Sequence, residues 1–206
     1  MNSTDFLKPL FPKRVWSIPT QEKEMFLTFD DGPIPEVTPW VLETLKKHKA
    51  KATFFCIGDN IRKHPRLFKQ ILAEGHAVGN HTFYHSSGWK SSLKDYLKDV
   101  RRCQDVIELN SVESNLFRPP YGKCTSAQAR AVLKDHQHII MWSIISKDYD
   151  ARISKEACFE RIQTKAKPGS IIVFHDSLKA ETNMKHALEK TLKTFSDYQF
   201  NRIDLL

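Results

Sequence analysis

The spacing of apolar and polar positions changes regularly along the chain after residue 20. Seven short, mostly apolar runs predict strands at residues 25–29, 52–56, 76–79, 115–118, 138–144, 170–174 and 199–206. Between them, six segments with apolar residues at helical spacing predict helices at residues 35–49, 65–74, 91–110, 125–135, 154–167 and 181–195. Strands that alternate with helices indicate an α/β fold with a parallel sheet. The pattern leaves a barrel and a doubly wound open sheet as alternatives.

The length of the chain, 206 residues, is typical of a single domain. Residues 1–20 contain Pro9, Pro12 and Pro19 and predict an irregular N-terminal lead-in, so we place the domain at residues 21–206. Hydrophobic residues make up 40% of the chain and charged residues 27%, which is the composition of a globular protein with its own core. The apolar runs are too short to span a bilayer, so we expect no membrane insertion, and we expect a monomer.

The chain carries 32 Lys and Arg against 24 Asp and Glu, a net charge of +8. A basic balance permits nucleic acid, an anionic glycan or an acidic membrane surface as a partner. The basic residues are scattered over segments that read as exposed helix, and no helix-turn-helix, zinc-finger or RNA-recognition pattern is present. We therefore expect no nucleic-acid partner.

Cys56, Cys103, Cys124 and Cys158 include no closely spaced metal-binding pair, and we expect buried free thiols. The first twenty residues contain no apolar run of the length that a secretory signal needs. The sequence as given thus predicts a cytoplasmic location, and an additional upstream segment would place the protein outside the cytoplasm.

Candidate chemistry begins at the end of the first strand, where Asp30 and Asp31 precede a Gly-Pro turn. Two adjacent carboxylates repel each other unless a cation or a proton separates them, although Asp, Gly and Pro are also ordinary turn residues. After the third strand, His81 and His85 have the spacing that places two imidazoles on one face of a helical turn. Two histidines and one carboxylate leave one tetrahedral position open for water, as in catalytic zinc sites. The second carboxylate is then a candidate general base.

Further polar residues follow the later strands. Arg118 precedes two prolines that stiffen the backbone; it can hold a carboxylate, and the N–H of Tyr121 just beyond can bind an oxyanion. Trp142 ends the fifth strand, and Asp148 lies just beyond it. His175 ends a buried strand. At this position it is either a general acid or an ordinary histidine of the core.

Together these segments resemble the five ordered motifs of the polysaccharide deacetylases, which form carbohydrate esterase family four and share the NodB-homology domain. The resemblance rests on TFDDGP at 28–33, HTFYH at 81–85, RPPYG at 118–122, WS followed by DY at 142–149, and VFHD at 173–176. It implies a single-domain, distorted (β/α)7-type barrel. It also implies a metal-dependent hydrolase that removes N-acetyl groups from N-acetylglucosamine-containing poly- or oligosaccharides, such as peptidoglycan or chitin oligomers.

The resemblance also implies roles for individual residues. Asp31, His81 and His85 would bind the metal, usually zinc, with cobalt or nickel as substitutes. Asp30 would be the base that activates the attacking water, and Arg118 would hold and orient Asp30.

The remaining implied roles concern the leaving group and the substrate. His175 would protonate the departing amine, Asp148 would orient His175, and the backbone N–H of Tyr121 would stabilise the oxyanion. The other candidates for lining the substrate site are Pro120, Tyr149, Val173 and Trp142.

The chain departs from the family pattern in its fourth motif. Ile145 stands where an Asp is common, and Tyr149 stands where a Trp is common. Asp148 is kept, so we expect activity, while these departures bear on the sugar or acetyl preference. Two alternatives stay open: the same metal site acting on acetylated xylan or on small cyclic or linear amides, and a catalytically silent glycan-binding module.

Overall fold

The computed structural model describes residues 7–110, 113–135 and 138–204, and within them nine strands alternate with seven α-helices. The strands are β1 (Arg14–Val15), β2 (Glu24–Asp30), β3 (Ala52–Cys56), β4 (Ala77–Asn80), β5 (Leu116–Phe117), β6 (His138–Ile140), β7 (Ile144–Ile145), β8 (Ile171–His175) and β9 (Gln199–Phe200). The helices are α1 (Thr38–Lys47), α2 (Gly58–Lys63), α3 (Pro65–Ala73), α4 (Leu93–Glu108), α5 (Ser126–Lys134), α6 (Lys155–Gln163) and α7 (Glu181–Thr194).

All of these strands pair in parallel within one curled sheet. Its order is β1-β6-β5-β4-β3-β2-β8-β7, and β9 pairs with the start of β2. The helices pack on the outside, and β1 and β7 form the two edges of an incompletely closed barrel. This confirms the predicted distorted (β/α)7-type barrel in a single domain, rather than a doubly wound open sheet.

The central strands are apolar on both faces. This is expected because one face of the sheet encloses the barrel core and the other face packs against the helices. On the outer face, Phe29 stacks on Phe54 and on Phe174, with ring centroids 5.1 and 5.7 Å apart. On the inner face, Phe55 packs with Ile203 and with apolar residues from four other strands. The fully buried side chains of Phe54 and Phe55 thus belong to two different cores.

The strand predicted at residues 138–144 is divided into β6 and β7. The N–H of Met141 still donates to Val15 on β1, whereas the N–H of Ser143 donates to Ile171 on β8. The chain therefore changes hydrogen-bonding partners at Trp142 and crosses the opening between the two sheet edges. Apolar content alone predicts one strand here because it carries no information about the neighbouring strand.

Three other segments differ from their predicted form. The lead-in contains β1, which pairs with β6, and Ser17 bridges to Ser170. Helix α2 is six residues long, too short to show helical periodicity. The last predicted strand is limited to β9, and its predicted residues 205–206 lie outside the described residues.

All four cysteines are buried and free, as predicted. Among the described residues, no helix is both long and apolar enough to cross a bilayer.

Ile203 fills the amino-terminal end of the barrel: it is 1% exposed, and its N–H donates to the Thr53 hydroxyl. We expect Ile203→Ala to lower the free energy of unfolding by about 2–5 kcal/mol, because the truncation leaves a cavity in the barrel core. Chemical denaturation measures this change. Leu109→Ala, at a side chain that is 82% exposed, is the matched control and should stay within about 0.5 kcal/mol of the parent. Equal stability of the two variants would contradict the role of Ile203.

Candidate active site

The candidate site residues meet at the carboxyl-terminal end of the barrel, where parallel α/β barrels place their active sites. Asp30 ends β2, and its register partner His175 ends β8. His81 directly follows β4, and Arg118 directly follows β5. Residues distant in sequence thus come together because their strands are neighbours in the sheet.

Asp31, His81 and His85 form the predicted metal-binding cluster (the metal cluster, which consists of these three side chains). One ligand atom from each lies within 4.8 Å of the others. The Oδ1 atom of Asp31 lies 3.2 Å from Nε2 of His85 and 3.9 Å from Nε2 of His81. This oxygen is buried and accepts no hydrogen bond within the described part of the chain. A buried carboxylate oxygen facing two imidazole nitrogens fits a divalent cation with an open coordination position.

His81 is oriented for metal binding by the backbone. Its Nδ1 lies 2.7 Å from the carbonyl oxygen of Arg118, so Nδ1 carries the proton and Nε2 presents a lone pair to the cluster. Burial lowers the pKa of His81 to about 4, which keeps the imidazole neutral at physiological pH. A neutral imidazole is the form that binds a metal.

The prediction that His81 and His85 share a helical turn is wrong. The segment is a loop in which Thr82 and His85 have positive φ values, 62° and 57°. Asn80 accepts a hydrogen bond from the N–H of Thr82, and Asp99 on α4 accepts one from the N–H of Tyr84. These two buried polar residues, which the sequence analysis missed, hold the loop in its shape. No sequence pattern marks either residue, because their burial and their partners exist only in the folded chain.

Asp30 is buried and forms an ion pair with Arg118, whose Nη1 donates to its Oδ1 at 2.7 Å. Burial raises the pKa of this carboxyl, but the charges of Arg118 and His175 outweigh burial and hold the pKa below its usual range. The other carboxylate oxygen, Oδ2, faces Nε2 of His81 at 4.0 Å. Asp30 is therefore an anionic acceptor beside the metal cluster.

The partly buried His175 and the buried Asp148 form the second charged pair. Nδ1 of His175 lies 2.7 Å from Oδ1 of Asp148, and the backbone N–H of His175 donates to Oδ2. Burial lowers the pKa of His175, but the Asp148 carboxylate outweighs burial and raises the pKa to about 9. The ring of Tyr149 packs edge-on against the imidazole with its centroid 4.9 Å away. His175 is thus held as a cation that can donate a proton.

The turn after β5 lies beside the metal cluster. Tyr121 has a φ of 59°, and its ring lies 4.6 Å from that of His85. The next two N–H groups donate to the carbonyls of Pro119 and Pro120. Trp142 packs directly against the turn. A β-carbon on Gly122 would lie only 2.7 Å from the Trp142 ring, so the two are in close contact.

Val173 is placed differently from the other candidates. It is fully buried in β8, two residues before His175 on the same face, and its register partner is Thr28. The structure thus brings the predicted catalytic and metal-binding residues together and places Val173 one layer beneath them.

A third missed residue, Asp176, holds the Asp31 turn. Its Oδ1 accepts from the N–H of Gly32 at 3.0 Å, and its Oδ2 accepts from the Thr38 hydroxyl at 2.6 Å. Asp176 is fully buried, and burial raises its pKa to about 8. The side-chain amide of Asn60 donates to the carbonyl of Asp31 from the other side. The backbone of the turn that carries Asp31 is therefore held from both sides.

The comparisons with known proteins bear on this site. A family model for polysaccharide deacetylases matches residues 17–139. The chain is 36% identical over 178 residues to a peptidoglycan-N-acetylglucosamine deacetylase of Bacillus cereus, a match that covers 86% of this chain and 84% of the relative. This chain belongs to the polysaccharide deacetylase family.

Two further polysaccharide deacetylases show the range of the similarity. A chitooligosaccharide deacetylase of Azorhizobium caulinodans is 36% identical over 162 residues, with 77% of this chain and 76% of the relative covered. The crystal structure of the Bc1960 peptidoglycan N-acetylglucosamine deacetylase matches with a TM-score of 0.85 and 31% identity, covering 93% of this chain and 91% of that one. The family resemblance found in the sequence is confirmed.

Gly32→Ala tests the fixed metal turn. A β-carbon at Gly32 would collide with the Asp176 carboxylate, so the turn that carries Asp31 must shift. We expect the affinity for Zn²⁺, measured by chelator competition, to fall by about 10-fold or more, in the range seen when groups that position metal ligands are lost.

Gly75→Ala is the matched control for this variant. Gly75 has a φ of 80° and lies far from the metal cluster at the end of α3, so alanine strains the backbone without touching the site. We expect it to lower stability while leaving zinc affinity unchanged. Unchanged zinc affinity in Gly32→Ala as well would contradict the proposed role of the turn.

Proposed function

We propose that this polysaccharide deacetylase is a zinc-dependent enzyme that removes N-acetyl groups from saccharides containing N-acetylglucosamine. The observation that carries the proposal is one juxtaposition. A cluster of two histidines and one carboxylate lies beside the anionic carboxylate of Asp30, and the protonated His175 is the register partner of Asp30 on the neighbouring strand. Amide hydrolysis at neutral pH needs these components: a Lewis acid, a base for the water and an acid for the leaving nitrogen.

Zinc is the ion that this donor set favours. Two imidazoles and one carboxylate are a common ligand set of catalytic zinc sites, and cobalt and nickel accept similar ligands. When bound by Asp31, His81 and His85, the cation supplies a Lewis acid that polarises the acetamide carbonyl and lowers the pKa of water.

Asp30 accepts the proton of the attacking water in this mechanism. Its low pKa keeps it deprotonated, and the bond from Arg118 fixes one carboxylate oxygen and leaves the other facing the cluster. Arg118 orients Asp30 through this bond and keeps its own proton, because a guanidinium paired with a carboxylate stays charged.

His175 donates a proton to the nitrogen as the C–N bond breaks. Asp148 fixes the Nδ1 proton, so Nε2 is the atom that faces the reaction. The backbone N–H of Tyr121 donates to the carbonyl oxygen as negative charge develops there. Pro120, Tyr149 and Trp142 shape the surrounding pocket in this proposal, whereas Val173, predicted to line it, is fully buried one layer beneath.

The alternatives differ in substrate or in activity. Acetylated xylan and small amides require the same metal, base and acid, so acetate release from different substrates separates them. A catalytically silent module requires none of the paired charges, and the buried Arg118–Asp30 and Asp148–His175 pairs favour an enzyme. The monomeric state and the cytoplasmic location stay predictions.

Acetate release from N-acetylglucosamine oligomers of two to six units tests the proposal. We expect release to stop when the metal is removed and to return with Zn²⁺. Asp30→Asn and His175→Ala should each lower kcat by about 10²–10⁴-fold, the typical contribution of a general base or acid. Asp105→Asn and His48→Ala, at exposed positions on the helical surface, are the controls and should keep full activity. Zinc binding without acetate release from any acetylated saccharide would contradict the substrate assignment.

The pH profile tests the acid. Because His175 must be protonated to donate, kcat/KM should fall as the pH rises through about 9. Asp148→Asn removes the charge that raises this pKa while burial still lowers it, so the alkaline limb should move to lower pH by about one unit or more. Asp150→Asn is the control, since Asp150 pairs with Arg152 and not with His175. An alkaline limb that stays in place in Asp148→Asn would refute the assignment of His175 as the acid.

A further inference from the structure

We propose that Thr28 is a positioning residue for the general base, because its hydroxyl holds the guanidinium that orients Asp30. The inference rests on the proposed function and adds a residue to the same site. It is carried by a row of buried hydrogen bonds that crosses the barrel interior from the end of β6, through Arg118 and Thr28, to β8.

Thr28 and Asp30 share one face of β2. They are two residues apart on the strand, so their side chains project to the same side of the sheet. Phe29, between them, projects to the other side and stacks on Phe54 in the outer core. The Arg118 guanidinium contacts both Thr28 and Asp30. The strand therefore presents a hydroxyl and a carboxylate side by side to one cation.

These two acceptors share one nitrogen of Arg118. Nη1 lies 2.7 Å from the Thr28 hydroxyl oxygen and 2.7 Å from Oδ1 of Asp30. A guanidinium Nη carries two N–H groups, so each acceptor takes one of them. Because both N–H groups belong to one planar nitrogen, the direction of the bond to Asp30 is tied to the direction of the bond to Thr28.

The hydroxyl of Thr28 is itself fixed in direction. It donates to the carbonyl oxygen of Ile172 on β8 at 2.9 Å, which leaves its oxygen to accept from Arg118. Thr28 and Arg118 are both fully buried, so bulk water does not compete for these bonds. A β-branched side chain also has a restricted χ1 angle. Thr28 is therefore a rigid acceptor between β8 and the guanidinium.

The other contacts of Arg118 hold different parts of its guanidinium. Nε and Nη2 donate to the carbonyls at the end of β6, and the Phe55 ring stacks 4.0 Å from Cζ. Thr28 is the neighbour that acts on the same nitrogen as Asp30. A displacement of Nη1 moves the Asp30 carboxylate, whose Oδ2 faces the metal cluster. A misplacement of about 1 Å at a reacting group can cost about 100-fold in rate.

The test uses paired substitutions of buried threonines. Thr28→Val removes the hydroxyl and keeps the branched shape, whereas Thr28→Ser keeps the hydroxyl and removes the methyl group. Thr53→Val is the matched control. Thr53 is the register partner of Thr28 on β3 and is equally buried, but its hydroxyl accepts from the N–H of Ile203 and not from Arg118.

For the zinc-loaded enzyme on N-acetylglucosamine oligomers, we expect Thr28→Val to lower kcat by about 10- to 100-fold and to leave KM within about twofold of the parent. The base is displaced in this variant, while the contacts to substrate are kept. Thr28→Ser should restore most of kcat. Thr53→Val should lose stability, as Thr28→Val does, but keep the kcat of the parent. Zinc affinity should stay the same in all variants, since none of these bonds involves the metal cluster.

Three outcomes would overturn the proposal: an unchanged kcat in Thr28→Val, a loss that Thr28→Ser does not restore, or an equal loss in Thr53→Val. If Thr28→Val does not fold, Thr28→Ala, which also lacks the hydroxyl, is compared with Thr28→Ser in its place.

A measurement on the metal-free protein keeps this test independent of catalysis. Rotation of the Arg118 guanidinium about the Nε–Cζ bond is measured by ¹⁵N NMR, with the signals assigned by their loss in Arg118→Lys. We expect Thr28→Val to speed this rotation by about 10- to 100-fold, the factor that corresponds to one hydrogen bond to a charged group, and Thr53→Val to leave it unchanged. If the parent releases no acetate from any acetylated saccharide but this difference is found, the proposed function fails and the hold of Thr28 on Arg118 stands. Equal rotation rates in the parent and in Thr28→Val would refute that hold.

Discussion

The buried guanidinium of Arg118 is the interaction on which the rest of the site depends. It donates to the Asp30 carboxylate and, through Nε and Nη2, to the carbonyls of Ile140 and Met141 at the end of β6. Its own carbonyl oxygen orients His81. One residue therefore links the proposed base, a proposed metal ligand and the point where the chain leaves β6. A buried charge is tolerable because Arg118 is paired and its donors are used, and a lysine could not reproduce this fork of hydrogen bonds.

A second constraint is that the site holds a deprotonated carboxylate and a protonated imidazole on neighbouring strands. Asp30 must stay anionic and His175 cationic at the same pH, although burial opposes charge on both. Each is stabilised by a separate buried partner, Arg118 for Asp30 and Asp148 for His175. Because the partners enter from different strands, the sheet order, and not the local sequence, separates acid from base. The proposed base beside the metal cluster is thus already deprotonated, and the proposed acid on the neighbouring strand is already protonated.

The sequence predicted the parts of the fold that depend on local apolar pattern. The strands at Ala52–Cys56 and Ile171–His175 and the long helix at Leu93–Glu108 are close to their predicted bounds, since each buries a continuous or periodic apolar face. The same pattern failed at residues 138–144, where hydrogen bonding to two different neighbours divides one apolar run. It also failed for β1, which is two residues long and is stabilised by its neighbour β6.

The site was predicted unevenly for a related physical reason. Whether a residue can act as a ligand, base or acid depends on its own side chain. Motifs and spacing therefore sufficed to predict five candidates: Asp30, Asp31, His81, His85 and His175. The backbone conformation that orients them depends on contacts between residues distant in sequence, such as the bonds of Asp99 to the histidine loop and of Asp176 to the Asp31 turn.

Because those contacts span the chain, four-residue spacing alone could not distinguish a helical turn from a loop with two positive φ values. The supporting residues are ordinary buried amides and carboxylates with no distinguishing sequence pattern. Their function follows from the backbone N–H groups that they bind, since each such bond lies within two residues of a predicted metal ligand. The geometry of the metal cluster is therefore determined by contacts across the carboxyl-terminal end of the barrel. Its chemistry is determined by a few side chains.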